Sequence, residues 1–261
     1  MTNQKRPLVA VIGAGNMGTA ILKGLKKLNK YDLLVQNPEN PRVSKLAGEL
    51  GFELVHDNQE VVDKQPDFVI LTTPAPVTLD VAKQLKKLPA TTFVISAAAG
   101  VSLQKLNRRI TNAIVAAMIP NTPVAVNAGT IGLTMDDSVS DSERSNVVYF
   151  LSQLGQVIEV PEEQLDIIGV VGGCGPAFVD IFMDAMSDAA VAKGMNRQTA
   201  YQVIASMVKG SGALALESKQ TPAALRDEVT SPAGTTIRGV MALEKHGFRH
   251  AVIEAVRKAS E

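Results

Sequence analysis

The stretch VIGAGNMG at residues 11–18 decides the fold class of this chain. Its glycines, Gly13, Gly15 and Gly18, have G-x-G-x-x-G spacing between an apolar run at Leu8–Ile12 and a helical pattern over Asn16–Leu28. At this spacing the first glycine permits a tight turn, the second lets the backbone approach a pyrophosphate, and the third lets the helix pack on the strand. The helix N-terminus then faces the anion. The stretch predicts a dinucleotide-binding turn, and the alternative is a glycine-rich turn without a ligand.

Short apolar runs alternate with helical patterns from Leu8 to about Met118, which predicts a parallel sheet covered by helices. The predicted strands are Leu8–Ile12, Leu33–Gln36, Phe68–Thr72, Phe93–Ser96 and Ala113–Met118. Two further runs, Val124–Asn127 and Thr130–Thr134, flank a turn signal and predict an antiparallel extension of the sheet. The pattern at Ser140–Leu154, closed by Gly155, predicts the last helix of this part.

The sequence changes in character after Val160-Pro161, where β-rich runs give way to alanine-rich helical patterns. The predicted helices are Ala177–Lys193, Arg197–Lys219, Pro222–Val229, Thr235–His246 and Phe248–Ser260. We therefore expect an α/β Rossmann-type dinucleotide-binding domain at residues 1–159, followed by an all-α domain at residues 160–261. The predicted helices hold much small and apolar surface, so we expect a partner subunit to cover part of it.

The composition excludes several classes of protein. Hydrophobic residues make up 46% of the 261 residues and charged residues 20%, a balance typical of a packed globular protein. The 26 basic residues cancel the 26 acidic ones, so no overall field favours nucleic acid or an anionic membrane as a partner. No run reaches the roughly 18 to 20 consecutive apolar residues of a membrane span. The single cysteine, Cys174, excludes an internal disulfide, and we expect a cytoplasmic protein.

The residues after the second predicted strand bear on the choice between NADPH and NADH. A site that prefers NAD usually has an acid there, which binds the ribose 2′-hydroxyl, but this chain reads VQNP at residues 35–38. Neutral Gln36 and Asn37 tolerate a 2′-phosphate, and nearby Arg42 would attract it. NADPH is therefore the expected cofactor. NADH stays the alternative, because Glu39 is close and Arg42 can equally be a solvated helix residue.

A second dense group of special residues is SPAGTTI at residues 231–237. Ser231 is placed to cap a helix whose first residues include Pro232, which would leave backbone N–H groups free to bind a carboxylate. Thr235 and Thr236 add hydroxyl groups, which both donate and accept hydrogen bonds. An ordinary capped helix without a ligand is the alternative.

Taken together, these segments resemble the pyrroline-5-carboxylate reductase family along essentially the whole chain. The matching segments, in the family's order, are VIGAGNMG at 11–18, SAAAGV at 96–101, PNTP at 120–123, GPA at 175–177, L-x-D-x-V at 225–229, SPAGTTI at 231–237, Leu243-Glu244 and GFR at 247–249. The resemblance implies an NAD(P)H-dependent Rossmann protein with a helical dimerisation domain, assembled as a homodimer through the C-terminal helices or as a higher homo-oligomer. It also implies the last step of proline biosynthesis, in which the cyclic imino acid 1-pyrroline-5-carboxylate is reduced to L-proline by hydride addition to the imine carbon.

The glycine motif, Arg42 and the resemblance together assign residues to the two ligands. The residues expected to bind the cofactor are Ile12, Gly13, Ala14, Gly15, Asn16, Met17, Gly18, Gln36, Asn37, Arg42, Asn58, Thr72, Thr73, Pro74, Ala97, Ala98 and Ala99. The resemblance implies that Glu162, Thr235 and Thr236 hold the imino acid, with Thr236 as the catalytic residue whose hydroxyl orients the ring nitrogen. No histidine or lysine lies at residues 231–237, so we expect the substrate to bind as an already protonated iminium. Glu162 has an alternative role as a first-turn acid that the helix dipole favours.

The chain departs from the family's pattern near these sites. The family usually reads V-K-P at Thr73-Pro74-Ala75 and has an arginine at Ala116, and Ile119 is an apparent extra residue. Glycine, cysteine and phenylalanine replace family serines and a tyrosine at Gly172, Cys174 and Phe178, and Ala233 replaces a glycine. A related cyclic imine is therefore an alternative substrate, and NADPH binding without turnover is an alternative function.

Other kinds of site agree less well with the sequence. A β-hydroxyacid dehydrogenase needs a lysine on the first long helix of its helical domain, and none lies between Gly172 and Ala192. The three histidines, His56 among them, lack the spacing of metal ligands, so we expect surface histidines and no metal site. Asp180, Asp184 and Asp188 recur every fourth residue, which predicts a solvated or arginine-paired helix face.

Overall fold

A computed structural model describes residues 6–261 of the chain. It contains two compact units, the first ending at Gly173 and the second spanning Cys174–Glu261. The first unit holds an eight-stranded sheet with helices on both faces, and the second is helical throughout. An α/β Rossmann-type part followed by an all-α part is therefore confirmed.

Parallel pairing of the early strands is also confirmed. In chain order the strands are β1 (Leu8–Ile12), β2 (Asp32–Gln36), β3 (Glu53–Val55), β4 (Phe68–Leu71), β5 (Phe93–Ser96), β6 (Ile114–Pro120), β7 (Gly129–Met135) and β8 (Gly155–Glu159). Their order in the sheet is β3-β2-β1-β4-β5-β6-β7-β8, and all pairs up to β5–β6 are parallel. The strand order reverses at β1, between β2 and β4, so a crevice is expected there at the carboxyl ends of the strands.

Helices cover both faces of this sheet. In the first unit they are α1 (Asn16–Leu28), α2 (Pro41–Leu50), α3 (Asn58–Asp63), α4 (Ala75–Gln84), α5 (Leu103–Asn107), α6 (Asp141–Ser152) and α7 (Leu165–Ile168). Successive strand residues face opposite sides, so Val11 lies in the core that contains α1, α2 and α6, whereas Ile12 lies in the core that contains α3, α4 and α5. The bounds of α1 are as predicted, because apolar residues such as Ile21 and Leu25 repeat at helical spacing and are buried.

The segment at Val124–Asn127 is not a strand, which corrects the prediction of a turn between two strands there. Thr122–Val126 forms a 3-10 helix, and it packs on α1 where Gly24 leaves room for a close approach of the Val124 carbonyl. Asn127 ends this helix in the left-handed region, at φ 58°, and its Nδ2 donates a hydrogen bond to the carbonyl oxygen of Gly24 at 3.2 Å. The predicted antiparallel strand exists as β7, but it pairs with β6. Two short strands, β3 and β8, were not predicted.

The second unit contains five described helices after a short π-helix at Gly169–Cys174. They are α8 (Gly175–Ala192), α9 (Arg197–Ser218), α10 (Pro222–Glu228), α11 (Thr235–Lys245) and α12 (Phe248–Ala259). The predicted bounds agree with these within two residues. Glycines mark the breaks between helices, because Gly194 (φ 93°) and Gly247 (φ 72°) adopt the left-handed backbone that other residues avoid.

Arg197 of α9 pairs with the aspartate face of α8. Its Nη1 lies 2.7 Å from Asp188 Oδ1 and donates to Ser187 Oγ at 2.9 Å, and the Tyr201 hydroxyl donates to Asp184 Oδ1 at 3.0 Å. The hydrogen bond that Arg197 donates to the Asp188 carboxylate raises the pKa of Arg197. The prediction of an arginine-paired face is therefore confirmed for Asp188, whereas Asp184 is bonded to a tyrosine hydroxyl. Within residues 6–261, no group of three or more His, Cys, Asp and Glu side chains is placed to hold a metal ion.

One helical run, Glu162–Ala192, is long and apolar enough to cross a membrane, judged by length and composition alone. The sequence predicted no uninterrupted apolar stretch of roughly 18 to 20 residues, and acidic residues such as Asp166 and Asp180 do interrupt this run, which forms because α7, the π-helix and α8 join end to end. Little of its most apolar part is buried in the single chain. Such a surface is also typical of a helix that a partner subunit covers.

The compact units divide after Gly173, whereas the sequence predicted a domain boundary after residue 159. The segment between these positions packs on the sheet. Leu165 is buried, and the Ile168 side chain lies so close to Gly132 of β7 that a Cβ on this glycine would overlap it. Asn121 Nδ2 also donates to the carbonyl oxygen of Gly172 at 2.9 Å. These contacts attach residues 162–173 to the first unit, although their sequence resembles the helical part.

Candidate functional site

The three glycines of the turn have the geometry that their spacing predicts. Gly13 has φ +97°, and a Cβ on Gly18 would overlap the carbonyl oxygen of Gly13, so only glycine lets α1 approach β1 this closely. By contrast, no described atom lies within 4 Å of a Cβ built on Gly15. Gly15 is the exposed N-cap of α1. Its backbone therefore faces open space at a helix N-terminus, where an anion can approach it.

The other residues expected at the cofactor lie at the carboxyl ends of neighbouring strands. Asn37 follows β2, Thr72–Pro74 follow β4, and Ala97–Ala99 follow β5. These strands and β1 are parallel neighbours, so their carboxyl ends share one edge with the glycine turn. Thr72 links two of the ends, because its Oγ1 lies 2.5 Å from the carbonyl oxygen of Gly13 and 3.1 Å from that of Ile12.

Asn37 and Arg42 connect the end of β2 to the glycine turn. The Ala14 N–H donates to Asn37 Oδ1 at 3.0 Å. The Arg42 guanidinium donates to the carbonyl oxygen of Ala14, and its Nη1 lies 3.4 Å from Thr19 Oγ1. Gln36 is buried, and its Nε2 donates to the carbonyl oxygen of His56 at 3.0 Å. Arg42 thus places a positive charge beside the turn, whereas the Gln36 side chain supports the strand end.

Asn58, the first residue of α3, has a buried acceptor that is not used within the chain. Its Nδ2 donates to Gln84 Oε1 at 2.9 Å, whereas its Oδ1 has no hydrogen-bond partner among the described residues. A buried acceptor without a donor costs free energy unless a ligand or water supplies the hydrogen bond. Asn58 can therefore accept a hydrogen bond from a bound molecule.

A cavity of about 400 Å³ lies beside the end of β5. Its walls come from the loop that follows β5, from Ala117–Ile119 of β6 and from residues 162–166. Glu162 faces this cavity, and its Oε1 accepts a hydrogen bond from the N–H of Leu103, the first residue of α5, at 2.5 Å. The cavity brings together Ala98, which is expected at the cofactor, and Glu162, which is expected at the imino acid.

Thr235 and Thr236 lie in the second unit, as the exposed first two residues of α11. The N-cap of α11 is Gly234, which corrects the prediction that Ser231 caps a helix beginning near Pro232. The helix begins later because Ala233 has φ 56°, a left-handed conformation that interrupts helical backbone. No described side chain caps α11, so its first backbone N–H groups are available to an anion beside the two hydroxyls.

Sequence reasoning missed several polar groups at these places. Ser102, Glu163 and Asp166 line the cavity with Glu162, and no local motif marks them. The His56 ring Nδ1 lies 2.8 Å from the carbonyl oxygen of Asn37, whereas the sequence indicated only a surface histidine. The one available signal was position, because His56 directly follows β3 at the edge of the sheet where the other strand ends lie.

Several departures from the family's pattern lie at the start of α4, in the core and at the start of α8. Thr73 Oγ1 lies 2.8 Å from Thr78 Oγ1, and Pro74 is the N-cap of α4. Ala116 is buried in the core beneath β6, and Cys174 is exposed where the π-helix meets α8.

Comparisons with known proteins identify the family. Residues 162–261 match the family described as pyrroline-5-carboxylate reductase dimerisation, and residues 8–100 match the family described as NADP oxidoreductase, coenzyme F420-dependent. A pyrroline-5-carboxylate reductase from Synechocystis sp. is 36% identical over 96% of this chain and 95% of its own length. The Escherichia coli protein of the same name is 36% identical over 97% of this chain and 96% of its own length.

Solved structures agree with this assignment. A pyrroline carboxylate reductase from Plasmodium falciparum, solved with NADP bound, aligns with a TM-score of 0.81 at 25% identity, covering 97% of this chain and 95% of that one. A 1-pyrroline-5-carboxylate reductase from Streptococcus pyogenes aligns with a TM-score of 0.80 at 29% identity, covering 97% and 96%. The fold, the order of the motifs and the identity over nearly the whole length all agree. This chain therefore belongs to the pyrroline-5-carboxylate reductase family.

Proposed function

We propose that this chain uses NADPH to reduce 1-pyrroline-5-carboxylate to L-proline, the last step of proline biosynthesis. The observation that carries the proposal is one sheet edge that holds the glycine turn and, beside the end of β5, the cavity of Ala98 and Glu162. Membership of the family supports the same activity. Reduction of a related cyclic imine is the second candidate, because Cys174, Phe178 and Ala233 replace the residues usual in the family.

The residues at the sheet edge fit a nicotinamide dinucleotide. A Cβ on Gly15 would occupy the open space where a pyrophosphate can meet the N-terminus of α1. Asn58 Oδ1 is a buried acceptor that a ribose hydroxyl or an adenine amino group can satisfy. We infer that the residues predicted from the sequence hold the cofactor: the glycine turn, the ends of β2, β4 and β5, and Asn58.

NADPH is favoured over NADH by the end of β2. Gln36 and Asn37 are neutral, so this strand end lacks the carboxylate that usually binds a ribose 2′-hydroxyl. Arg42 contacts the glycine turn, where a guanidinium can pair with a 2′-phosphate. The NADP bound in the Plasmodium falciparum relative is consistent with this preference.

The residues of the chain bind and orient the imino acid. When bound, the dinucleotide supplies the hydride that adds to the imine carbon. Thr236 orients the ring nitrogen through its hydroxyl, and the uncapped first turn of α11 receives the carboxylate of the substrate. Because residues 231–237 include no histidine or lysine, the imino acid binds as an iminium, and hydride addition then gives the secondary amine without a protein acid. Positioning, rather than proton transfer, is the main contribution of these residues.

Glu162 has a positioning role at the cavity wall. Its carboxylate holds the N-terminus of α5 through Leu103, and this contact connects the loop after β5 to residues 162–166. We infer that this connection fixes the shape of the space where the imino acid binds.

The second unit supports assembly with further copies of the chain. Its match to a dimerisation family indicates homo-oligomerisation. Large apolar side chains such as Ile181, Leu216 and Ile253 are exposed in the single chain, and burying them against a second copy would stabilise both. We propose a cytoplasmic homodimer formed through the C-terminal helices, or a higher homo-oligomer built from it, with neither nucleic acid nor a membrane as a partner.

Steady-state kinetics test the proposal. Oxidation of NADPH and of NADH is followed with 1-pyrroline-5-carboxylate and with its six-membered piperideine analogue, which ranks four combinations by kcat/KM. We expect NADPH with the pyrroline to rank first. A higher rank for the piperideine would favour the related-imine alternative, and binding of NADPH without turnover of either imine would favour a non-catalytic protein.

A further inference from the structure

We propose that His56, in addition to Arg42, selects a 2′-phosphorylated dinucleotide. The inference rests on the proposed cofactor site and adds to it a residue that the sequence pattern did not indicate. His56 directly follows β3, next to the end of β2, where the ribose 2′ position of a dinucleotide lies in folds of this kind.

The imidazole is held in place by the end of β2. Its Nδ1 lies 2.8 Å from the carbonyl oxygen of Asn37, and a carbonyl oxygen only accepts, so Nδ1–H donates. Gln36 Nε2 donates to the His56 carbonyl oxygen, and the Asn37 N–H donates to the carbonyl oxygen of Val55. Two hydrogen bonds therefore fix His56 against the strand end, and a third fixes the preceding residue, Val55.

The same few residues connect His56 to the glycine turn. Asn37 offers its carbonyl oxygen to the His56 ring, and its side chain accepts from the N–H of Ala14. Arg42 donates to the carbonyl oxygen of that same Ala14. His56 contacts Asn37 and Arg42 contacts Ala14, the two residues that are bonded to each other. Both His56 and Arg42 are exposed. A phosphate at this place would meet nitrogen donors from two different elements.

Two of the three neighbouring carboxylates, those of Asp57 and Glu60, are engaged with the backbone. The charged groups on the surrounding elements are Arg42 of α2, Glu39 of the loop after β2, and Asp57 and Glu60 at the start of α3. Asp57 caps α3 by accepting from the Gln59 N–H, and Glu60 Oε1 accepts from the N–H groups of His56 and Asp57. This capping box directs both carboxylates to backbone donors.

The chemistry of the ring then follows from its one fixed hydrogen bond. With Nδ1–H committed to Asn37, the other nitrogen, Nε2, can donate only when the ring is an imidazolium, in which both nitrogens carry hydrogen. A nearby phosphate dianion favours the charged form of an imidazole. Binding of the 2′-phosphate is therefore coupled to proton uptake by His56, and the imidazolium forms a charge-assisted hydrogen bond to it.

Binding of NADP+ and NAD+ to the full chain in the absence of imino acid tests the inference. Calorimetry on His56→Phe, which keeps a ring but no donor, should show about tenfold weaker NADP+ binding and an unchanged affinity for NAD+. His56→Gln keeps a donor for Asn37 but cannot become charged, and it should lose the same preference. His246→Phe, at an exposed histidine of the second unit, is the matched control and should bind both like the wild type. Thermal melting of each variant shows that it is folded.

The proton balance supplies a second measurement. At pH 8 a phosphate monoester is almost fully ionised before it binds, so protons taken up from the buffer as NADP+ binds are gained by groups of the protein. Titrations in two buffers with different ionisation enthalpies should show uptake by the wild type that His56→Phe reduces. Equal weakening of NADP+ and NAD+ in His56→Phe, or unchanged proton uptake, would overturn the inference about His56. Failure of the wild type to bind either dinucleotide would instead overturn the proposed cofactor site.

Discussion

The carboxylate of Glu162 accepts a hydrogen bond from the backbone N–H of Leu103 at 2.5 Å, although 59 residues separate the two in sequence. Leu103 is the first residue of α5, so a negative charge lies at a helix N-terminus, where the helix dipole favours it. The contact joins the loop after β5 to the segment that follows β8, and both line the same cavity. Glu162 therefore belongs to the structure of the cavity wall as well as to the proposed imino acid site.

Removing this carboxylate should affect both stability and catalysis. We expect Glu162→Ala to lower the free energy of unfolding by about 1–2 kcal/mol, because the Leu103 N–H loses its acceptor. The same variant should lower kcat/KM for the imino acid by at least tenfold, as the cavity wall loosens. Glu162→Gln keeps an acceptor oxygen and should recover most of the stability. Urea denaturation and steady-state kinetics measure the two effects. Gln164→Ala, at an exposed neighbour, is the control, and an equal loss in that variant would contradict a specific role for Glu162.

Two glycines of the turn should respond differently to the same added methyl group. A Cβ on Gly18 would overlap the backbone of Gly13, so Gly18→Ala should destabilise the fold by about 1–3 kcal/mol. A Cβ on Gly15 meets no described atom, so Gly15→Ala should fold with nearly unchanged stability but bind NADPH at least tenfold more weakly. Thermal melting and NADPH fluorescence titration separate the two effects. Tight NADPH binding by Gly15→Ala would contradict the placement of the pyrophosphate.

Much of the fold could be predicted because its signals are local. The five predicted strands of the parallel part and α1 follow from apolar periodicity, and the glycine breaks at Gly194 and Gly247 set the helices of the second unit. The prediction of a strand at Val124–Asn127 was wrong because the conformation of this segment depends on tertiary packing. Val124 is apolar and β-branched, which favours a strand. The segment instead forms a 3-10 helix that packs closely on α1, because Gly24 has no side chain to block the Val124 carbonyl.

The candidate site was predictable where it follows from the ends of parallel strands. The glycine turn, Asn37, Thr72 and Ala97–Ala99 share one edge because the strand order brings them there. The contact of Glu162 with Leu103 depends on the packing of a later segment against the sheet, and no pattern in either segment indicates it. His56 was overlooked for a related reason, since β3 has three residues and gave no recognisable strand signal.

Ala233 occupies a backbone conformation that suits glycine. Its φ of 56° lies in the left-handed region, which costs an alanine about 1 kcal/mol. We therefore expect Ala233→Gly to raise the free energy of unfolding, by up to about 1 kcal/mol after the greater unfolded-state entropy of glycine is taken into account. Ala242→Gly, inside α11, is the opposite control and should lower the stability by about 1 kcal/mol. Urea denaturation of both variants measures the difference, and destabilisation by Ala233→Gly would contradict the left-handed turn.

The hydroxyl of Thr236 should matter for catalysis and hardly at all for stability. Thr236 is exposed in the first turn of α11, so Thr236→Val should leave the melting temperature nearly unchanged. Because a methyl group cannot orient the ring nitrogen, kcat/KM for the imino acid should fall by about tenfold or more, with NADPH affinity unaffected. Thr236→Ser keeps the hydroxyl and should recover most of the activity. Full kcat/KM in Thr236→Val would remove Thr236 from the catalytic role.

A crystal structure of the chain with NADPH and a non-reactive analogue of the imino acid tests the central claim most directly. We predict that the phosphates lie against the first turn of α1, and that the analogue lies at the nicotinamide face with its ring atom within hydrogen-bond distance of Thr236 Oγ1. The opposite result would be a structure in which Thr235 and Thr236 are remote from the bound nicotinamide in every subunit.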